Sequence, residues 1–367
     1  MKNFFALFFL GLQVSLSANS AMNVHVPHAP VLSSSSSPPF VHTNNLPPRL
    51  EWDQNFGYCG ETSFISAGLF YGQYCSQYTA RSLASPGIPQ YQQGSQLLIG
   101  INDQTAAEAM HLNTIEWDSD TETSTDDFLA WVKQNILLGY PVVFGIFNNE
   151  YLLYGVSDPE SGDEDYDHIV VGYGIGSNHP LSDTGYYPDD TIYFSDNGLW
   201  AAFRNPPYLF SYPFLPFQAN REEANNPAGS IYSLNDAVTN YGVALTGVTD
   251  LDGNTIPVRL TTNINYEIPE ILQGQGRDFP PPGANAPPQP IPLTLTIVVT
   301  IPDTSVSYNL YYYNDFSDVP NSNFNANAGA AYQVFHIPAD SGSTYTMSLD
   351  IQSNEVAAFR AVRSSAP

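Results

Sequence analysis

Cys59 is one of only two cysteines in the chain, and its surroundings suit a nucleophile. The stretch Gln54-Asn-Phe-Gly-Tyr-Cys59-Gly-Glu-Thr-Ser63 sets a thiol at the head of a helix-compatible run, with a carboxamide five positions upstream. A thiol at a helix N-terminus beside an imidazolium is held as the thiolate, the form that attacks acyl carbon. His168 opens the apolar run His168-Ile-Val-Val-Gly-Tyr-Gly174 and would accept and return the proton. Asp196 and Asn197 close another such run, Thr191-Ile-Tyr-Phe-Ser-Asp196. Either could hold the second ring nitrogen and fix its tautomer, but successive strand residues face opposite ways, so only one can. Gln54 would add its side-chain amide to the Cys59 N–H as a donor to an oxyanion.

These residues need elements to carry them. The spacing predicts a helix from Thr62 to about Leu83, with Phe64, Gly68, Tyr71, Cys75 and Tyr78 on one buried stripe. Cys75 then fills core space. Along such a helix the two cysteines stand roughly 24 Å apart, whereas a disulfide tolerates about 7 Å, so no bridge is expected. A second helix is expected from about Asp126 to Leu138, with Thr125 as N-cap and Gly139 just beyond the end. Pro141-Val-Val-Phe-Gly-Ile-Phe147 reads as a buried strand, as do the runs led by His168 and Thr191.

Between the first two strands, Asp158 to Asp167 holds six carboxylates, expected to form a solvated loop in preference to a calcium site. Asp250-Leu-Asp-Gly-Asn254 resembles part of a calcium loop but lacks the distal glutamate, and a hairpin turn between 243–248 and 255–262 is favoured. The remaining histidines (His25, His28, His42, His111, His179, His336) show no zinc-like spacing. No cofactor and no metal is expected.

The N-terminus has a basic Lys2, an apolar core from Phe4 to about Val14 and small residues up to Ala21, the three regions of a secretory signal peptide at 1–21. Its core is too short to span a bilayer, and no later apolar run reaches spanning length. Residues 22–48, with five consecutive serines and two proline pairs, are expected to be a tether. After Pro227 helical signals fade and period-two runs take over through 293–301, 306–313, 331–337, 345–351 and 356–362, which predicts a β-sandwich over 228–367.

Residues 50–200 resemble a papain-like cysteine peptidase, within which they are most similar to the C39-like peptidase family. The resemblance rests on Gln54 with Tyr58-Cys-Gly-Glu-Thr-Ser63, on Gly139-Tyr-Pro-Val-Val-Phe-Gly-Ile146, on His168-Ile-Val-Val-Gly-Tyr173 and on Tyr193-Phe-Ser-Asp196. It implies an α+β papain-like domain over 49–227 and hydrolysis of a peptide or amide bond through a thioester. Cys59, His168, Asp196 and Gln54 would take the catalytic roles, with Asn197 the alternative third member. It also implies that Asp167 modulates its histidine neighbour. The Gln-to-Cys spacing is one residue shorter than in papain, Gly60 replaces the tryptophan that follows papain's cysteine, and residues 175–190 form a longer insertion that could cover the cleft.

Composition narrows the partners. The formal net charge is −26 with a pI near 4.1, because Lys and Arg total only 10 against 36 Asp and Glu. Such a surface repels phosphate backbones, which excludes nucleic acid, and favours encounter with cationic peptides. The expectation is an exported enzyme, secreted or in the periplasm or cell envelope, acting on a peptide or protein substrate. Two other readings stay open: a non-catalytic surface-binding or adhesive protein on a peptidase fold, and an acyl or amide transferase built on the same residues.

Overall fold

The computed structural model describes residues 37–364 apart from 53–54, 120, 122–123, 156–164, 200–208, 237–238 and 268–288. The expected signal peptide, the first part of the expected tether, Gln54 and most of the acidic loop lie outside the described residues.

The fold is mixed α+β. Its strands are β1 (Phe40–Thr43), β2 (Gln73–Tyr74), β3 (Leu112–Glu116), β4 (Val142–Asn148), β5 (His168–Ser177), β6 (Thr191–Ser195), β7 (Leu209–Pro213), β8 (Gln218–Ala219), β9 (Tyr232–Asn235), β10 (Gly242–Val248), β11 (Thr255–Ile256), β12 (Val258–Thr262), β13 (Pro292–Thr300), β14 (Tyr308–Tyr313), β15 (Gln333–Ile337), β16 (Thr344–Gln352) and β17 (Ala357–Arg363). Its helices are α1 (Cys59–Phe70), α2 (Gln77–Ala84), α3 (Asp103–Ala109), α4 (Thr125–Leu137), α5 (Glu150–Tyr154), α6 (Phe214–Phe217) and α7 (Arg221–Ala224).

The largest sheet runs β3-β10-β4-β5-β6-β7, with β1 added to β5 and β9 to the end of β4. The middle strands read as unbroken apolar runs because both of their faces are covered. Val143, Ile169, Val171, Val243 and Leu245 join the core around α1, while Val142, Phe144, Ile146, Val170 and Ala244 join the core around α4. The period of two splits each strand between two layers. Two smaller antiparallel sheets, β11-β17-β14-β15 with β2 on β17, and β12-β13-β16, share the α1 side of the core. On β13, Leu293, Leu295, Ile297 and Val299 alternate inward. No helix among the described residues is long and apolar enough to cross a membrane.

Several expectations need correction. The tether includes β1, which pairs antiparallel with β5 from Phe40↔Ser177 to Thr43↔Gly174; the serine and proline runs around it mask a short β-favouring Phe-Val-His-Thr. The single helix from Thr62 to Leu83 is two helices, broken at Gly72. That residue has φ +76, and a Cβ on it would lie 2.8 Å from Cβ of Val258. Both cysteines are nevertheless free thiols. The N-cap of α4 is Ser124, whose side chain accepts from Asp127 N, one residue before the expected Thr125.

Pro227 is not where the sheet carrying His168 ends, because β9 pairs with β4 and β10 sits between β3 and β4. Without β10, β4 would present a bare edge. The Asp252-Gly253 turn does not close a hairpin either: β10 stays in the large sheet, β11 pairs with β17 and β12 with β13. The Asp250 carboxylate accepts from the N–H groups of Asp252 at 3.1 Å and Thr255 at 2.7 Å, so the turn is satisfied locally whichever strands it joins.

Candidate active site

Cys59 is the first residue of α1 and half-buried. The helix can start there because Gly60 has no side chain: a Cβ would lie 2.1 Å from the Leu97 carbonyl oxygen. Glu61 is buried and accepts from Arg81 Nε at 2.5 Å and Leu97 N at 3.0 Å. The approach to the helix is held under strain, with Asn55 (φ 52), Phe56 (φ 72) and Gly57 (φ 84) in consecutive left-handed conformations. Their carbonyls are pinned in turn. Arg81 donates to Asn55 O at 2.8 Å and to Gly57 O, and Gln96 Nε2 donates to Phe56 O at 2.8 Å.

His168 begins β5, opposite Ile146 of β4, and is almost fully buried. Its Nε2 lies 2.9 Å from the backbone carbonyl of Asp196. A carbonyl only accepts, so Nε2 carries a hydrogen, and in the neutral ring the lone pair is then on Nδ1. Tyr232 stacks on the imidazole, with centroids 6.0 Å apart and planes at 22°, and donates its hydroxyl to Asp196 Oδ2 at 3.0 Å. Asp196 Oδ1 accepts from Gly198 N at 2.9 Å. Burial, reinforced by the Asp196 charge, keeps the Tyr232 phenol well above its usual range, so it stays a donor.

The alternative third member does different work. Asn197, with φ 56 in the turn after β6, donates its amide to Cys59 O at 3.1 Å, Ser63 Oγ at 2.9 Å and Ile169 O at 2.9 Å. It fastens the first turn of α1 to β5. Asp196 thus offers the ring its main-chain carbonyl, and Asn197 braces the first turn of α1.

Cys59 and His168 do come together, and Glu51 joins them. One ligand-type atom from each (the thiol sulfur, an imidazole nitrogen and a carboxylate oxygen) lies within 4.8 Å of the other two. Glu51 is buried, and its N–H donates to Asn197 O at 2.9 Å. Sequence reasoning passed over both Glu51 and Tyr232. The only signal for Glu51 was a lone carboxylate between Leu50 and Trp52, and for Tyr232 a tyrosine in the short run Ile231-Tyr-Ser-Leu234.

Other candidates fall away from the thiol. Asp167 forms an ion pair with Arg221 at 2.7 Å and accepts from Asn148 N at 2.8 Å; burial pushes its carboxyl up to about 7 while Arg221 works against that rise. Cys75 is buried in the main core, where desolvation raises its thiol far above the reactive range. Of the expected insertion at 175–190, residues up to Ser177 belong to β5 and the rest leaves the strand nine residues from His168, roughly 30 Å along it, at the opposite end of the sheet from the thiol. There Lys133 of α4 secures it, donating to Asp190 at 2.7 Å and Gly185 O at 2.8 Å.

No family model matches this chain, and no curated protein or solved structure does either. The chemistry therefore has to be argued from the site. A thiol on a helix N-terminus, an imidazole with its lone pair on one fixed nitrogen and a carboxylate beside both can support either nucleophilic attack or metal ligation.

Proposed function

We propose that this chain is an exported thiol hydrolase of papain-like type, cleaving peptide or other amide bonds through a thioester. The observation that carries the reading is the meeting of Cys59 Sγ and the His168 ring at the N-terminus of α1, with the imidazole tautomer fixed by the Asp196 carbonyl. Nδ1 takes the thiol proton and the sulfur attacks the carbonyl carbon. Charge on the carbonyl oxygen is met by the Cys59 N–H and, by the resemblance, by Gln54. The imidazolium then protonates the departing amine, and water, deprotonated by the same ring, releases the acyl group and restores the thiol. The two smaller sheets are read as the accessory sandwich, and the first 21 residues as the export signal.

Cationic peptides fit the surface. Arg49, Arg81, Lys133, Arg221 and Arg360 are all buried, so the few cations of the chain scarcely offset its outward negative charge. Encounter is thereby favoured for positively charged partners, with a rate that falls as salt rises.

The test is alkylation of the mature protein with iodoacetamide at pH 6, read by peptide mass spectrometry. Cys59 is expected to react at least a hundredfold faster than Cys75 in the folded protein, and equal sluggishness of both would remove the activated thiolate. Incubation of peptide libraries with and without an added amine then separates hydrolysis from transfer. One observation favours the non-catalytic reading: the Glu51 carboxylate stands where it opposes a thiolate charge. That reading is selected if Cys59→Ala leaves every hydrolytic and binding activity intact.

A further inference from the structure

Glu51 is hard to account for in a hydrolase that needs a thiolate, and it makes sense if a cation sometimes shares the site. We propose that Glu51, Cys59 and His168 form a three-ligand site for Zn²⁺ or a similar borderline divalent ion, and that occupation reversibly switches the nucleophile off. The inference rests on the hydrolase reading for its regulatory meaning and on geometry for the site itself.

Sulfur, nitrogen and oxygen donors from these three residue types are the zinc set, whereas calcium and magnesium take oxygen alone. Around tetrahedral zinc, with bonds of about 2.0 to 2.3 Å, ligand atoms lie roughly 3.3 to 3.8 Å apart. The three atoms are already within 4.8 Å of one another, so closure needs about an ångström of side-chain movement. Thiolate and carboxylate together carry two negative charges that a divalent ion neutralises. A fourth position would remain for water.

A second, independent feature is the scaffold. Asn197 touches the backbone of all three arms: its main-chain carbonyl accepts from Glu51 N at 2.9 Å, and its side-chain amide donates to Cys59 O at 3.1 Å and to the carbonyl of Ile169, next to His168, at 2.9 Å. The hydrogen bond from His168 Nε2 to a backbone carbonyl is the outer-shell contact that orients a metal-bound imidazole. On binding, the sulfur and Nδ1 each give one lone pair to the metal and the thiol proton passes to solvent, so the ring can no longer take up a proton and the cation draws down the sulfur charge that attack requires.

Cobalt(II) is the probe, titrated into the chelator-treated mature protein. One equivalent is expected to produce thiolate-to-cobalt charge-transfer absorption, displaced by Zn²⁺ and abolished in Cys59→Ala. Glu51→Gln, checked for folding by circular dichroism, is expected to weaken cobalt binding about tenfold or more. Saturating Zn²⁺ should stop alkylation of Cys59, and chelation should restore it. Absence of the charge-transfer band, or unchanged affinity in folded Glu51→Gln, overturns the proposal. Rapid alkylation of Cys59 with no cobalt band sinks the metal site and leaves the hydrolase standing. A cobalt band with Cys59 inert after chelation keeps the site and removes the hydrolase.

Discussion

Replacing Arg81 with methionine removes the cation on which the approach to Cys59 is built. Arg81 is fully buried at the end of α2, with its guanidinium 3.6 Å above the Tyr58 ring. It binds Glu61 Oε1 at 2.5 Å, Asn55 O at 2.8 Å, Gln90 O at 3.3 Å and Gly57 O. In Arg81→Met the Glu61 carboxylate stays buried with, among the described residues, only the Leu97 N–H at 3.0 Å for company, and breaking such a pair from one side costs about 3 to 5 kcal/mol. At about 2 °C per kcal/mol for a chain of this size, the melting midpoint falls by roughly 6 to 10 °C. Adding Glu61→Gln removes the stranded charge, so the double variant should be no less stable than Arg81→Met alone, with coupling of about 2 kcal/mol between the two sites. Losses that simply add, within about 0.5 kcal/mol, would refute the pairing argument. The second readout is at the thiol. With Asn55 O and Gly57 O released, the left-handed run relaxes and Cys59 alkylation slows in protein that remains folded; a wild-type rate in folded Arg81→Met would show that the clamp stabilises the fold without positioning the nucleophile.

Gly60→Ala is expected to destabilise by about 1 to 3 kcal/mol in denaturant melts, because its Cβ would meet Leu97 O at 2.1 Å, which outweighs the roughly 1 kcal/mol that alanine gains in a helix. Glu267 is fully buried, and desolvation lifts its carboxyl from 4.5 to about 7 against the pull of Arg49 at 3.5 Å. The folded state therefore holds a proton that the unfolded chain has lost between about pH 4.5 and 7, so this group's contribution is full below that window and is lost as pH rises through 7, by about 3 kcal/mol. Comparing melts at pH 5 and pH 8, Glu267→Gln should flatten the decline, and an equal decline in both proteins would place its cause elsewhere.

Much of the fold was legible where local chemistry and tertiary pairing agree. The runs beginning at Pro141, His168 and Thr191 became β4, β5 and β6 because an apolar stretch of that length, bounded by polar turns, has few other uses. Errors arose where the deciding partner lies far along the chain. Gly72 ends the first helix in a left-handed conformation just past its C-cap, and Val258, far along the chain, leaves no room there for a side chain. Phe40-Val-His-Thr becomes a strand because the far half of β5 offers it an edge. Strand β10 belongs to the sheet of β4 although composition changes ahead of it, since period-two patterning says that a strand forms and not which sheet receives it.

The site divides in the same way. The approach of Cys59 to His168 was legible because a helix start and the head of an apolar strand both leave marks in the sequence. What holds the imidazole left no mark, since the acceptor is a main-chain carbonyl that any residue at 196 would supply. The choice between Asp196 and Asn197 was posed on side chains, whereas the main chain of Asp196 also reaches the ring. The carboxylate anchors Tyr232 beneath the ring, and the carboxamide ties the two halves of the site together. If that division is right, Asn197 matters through what it joins. Replacing its side chain should loosen Cys59 and His168 together while the bond from Glu51 N to the main-chain carbonyl of residue 197 persists, disturbing thiol reactivity and cobalt binding alike, whereas loss of the Tyr232 hydroxyl should disturb the imidazole alone.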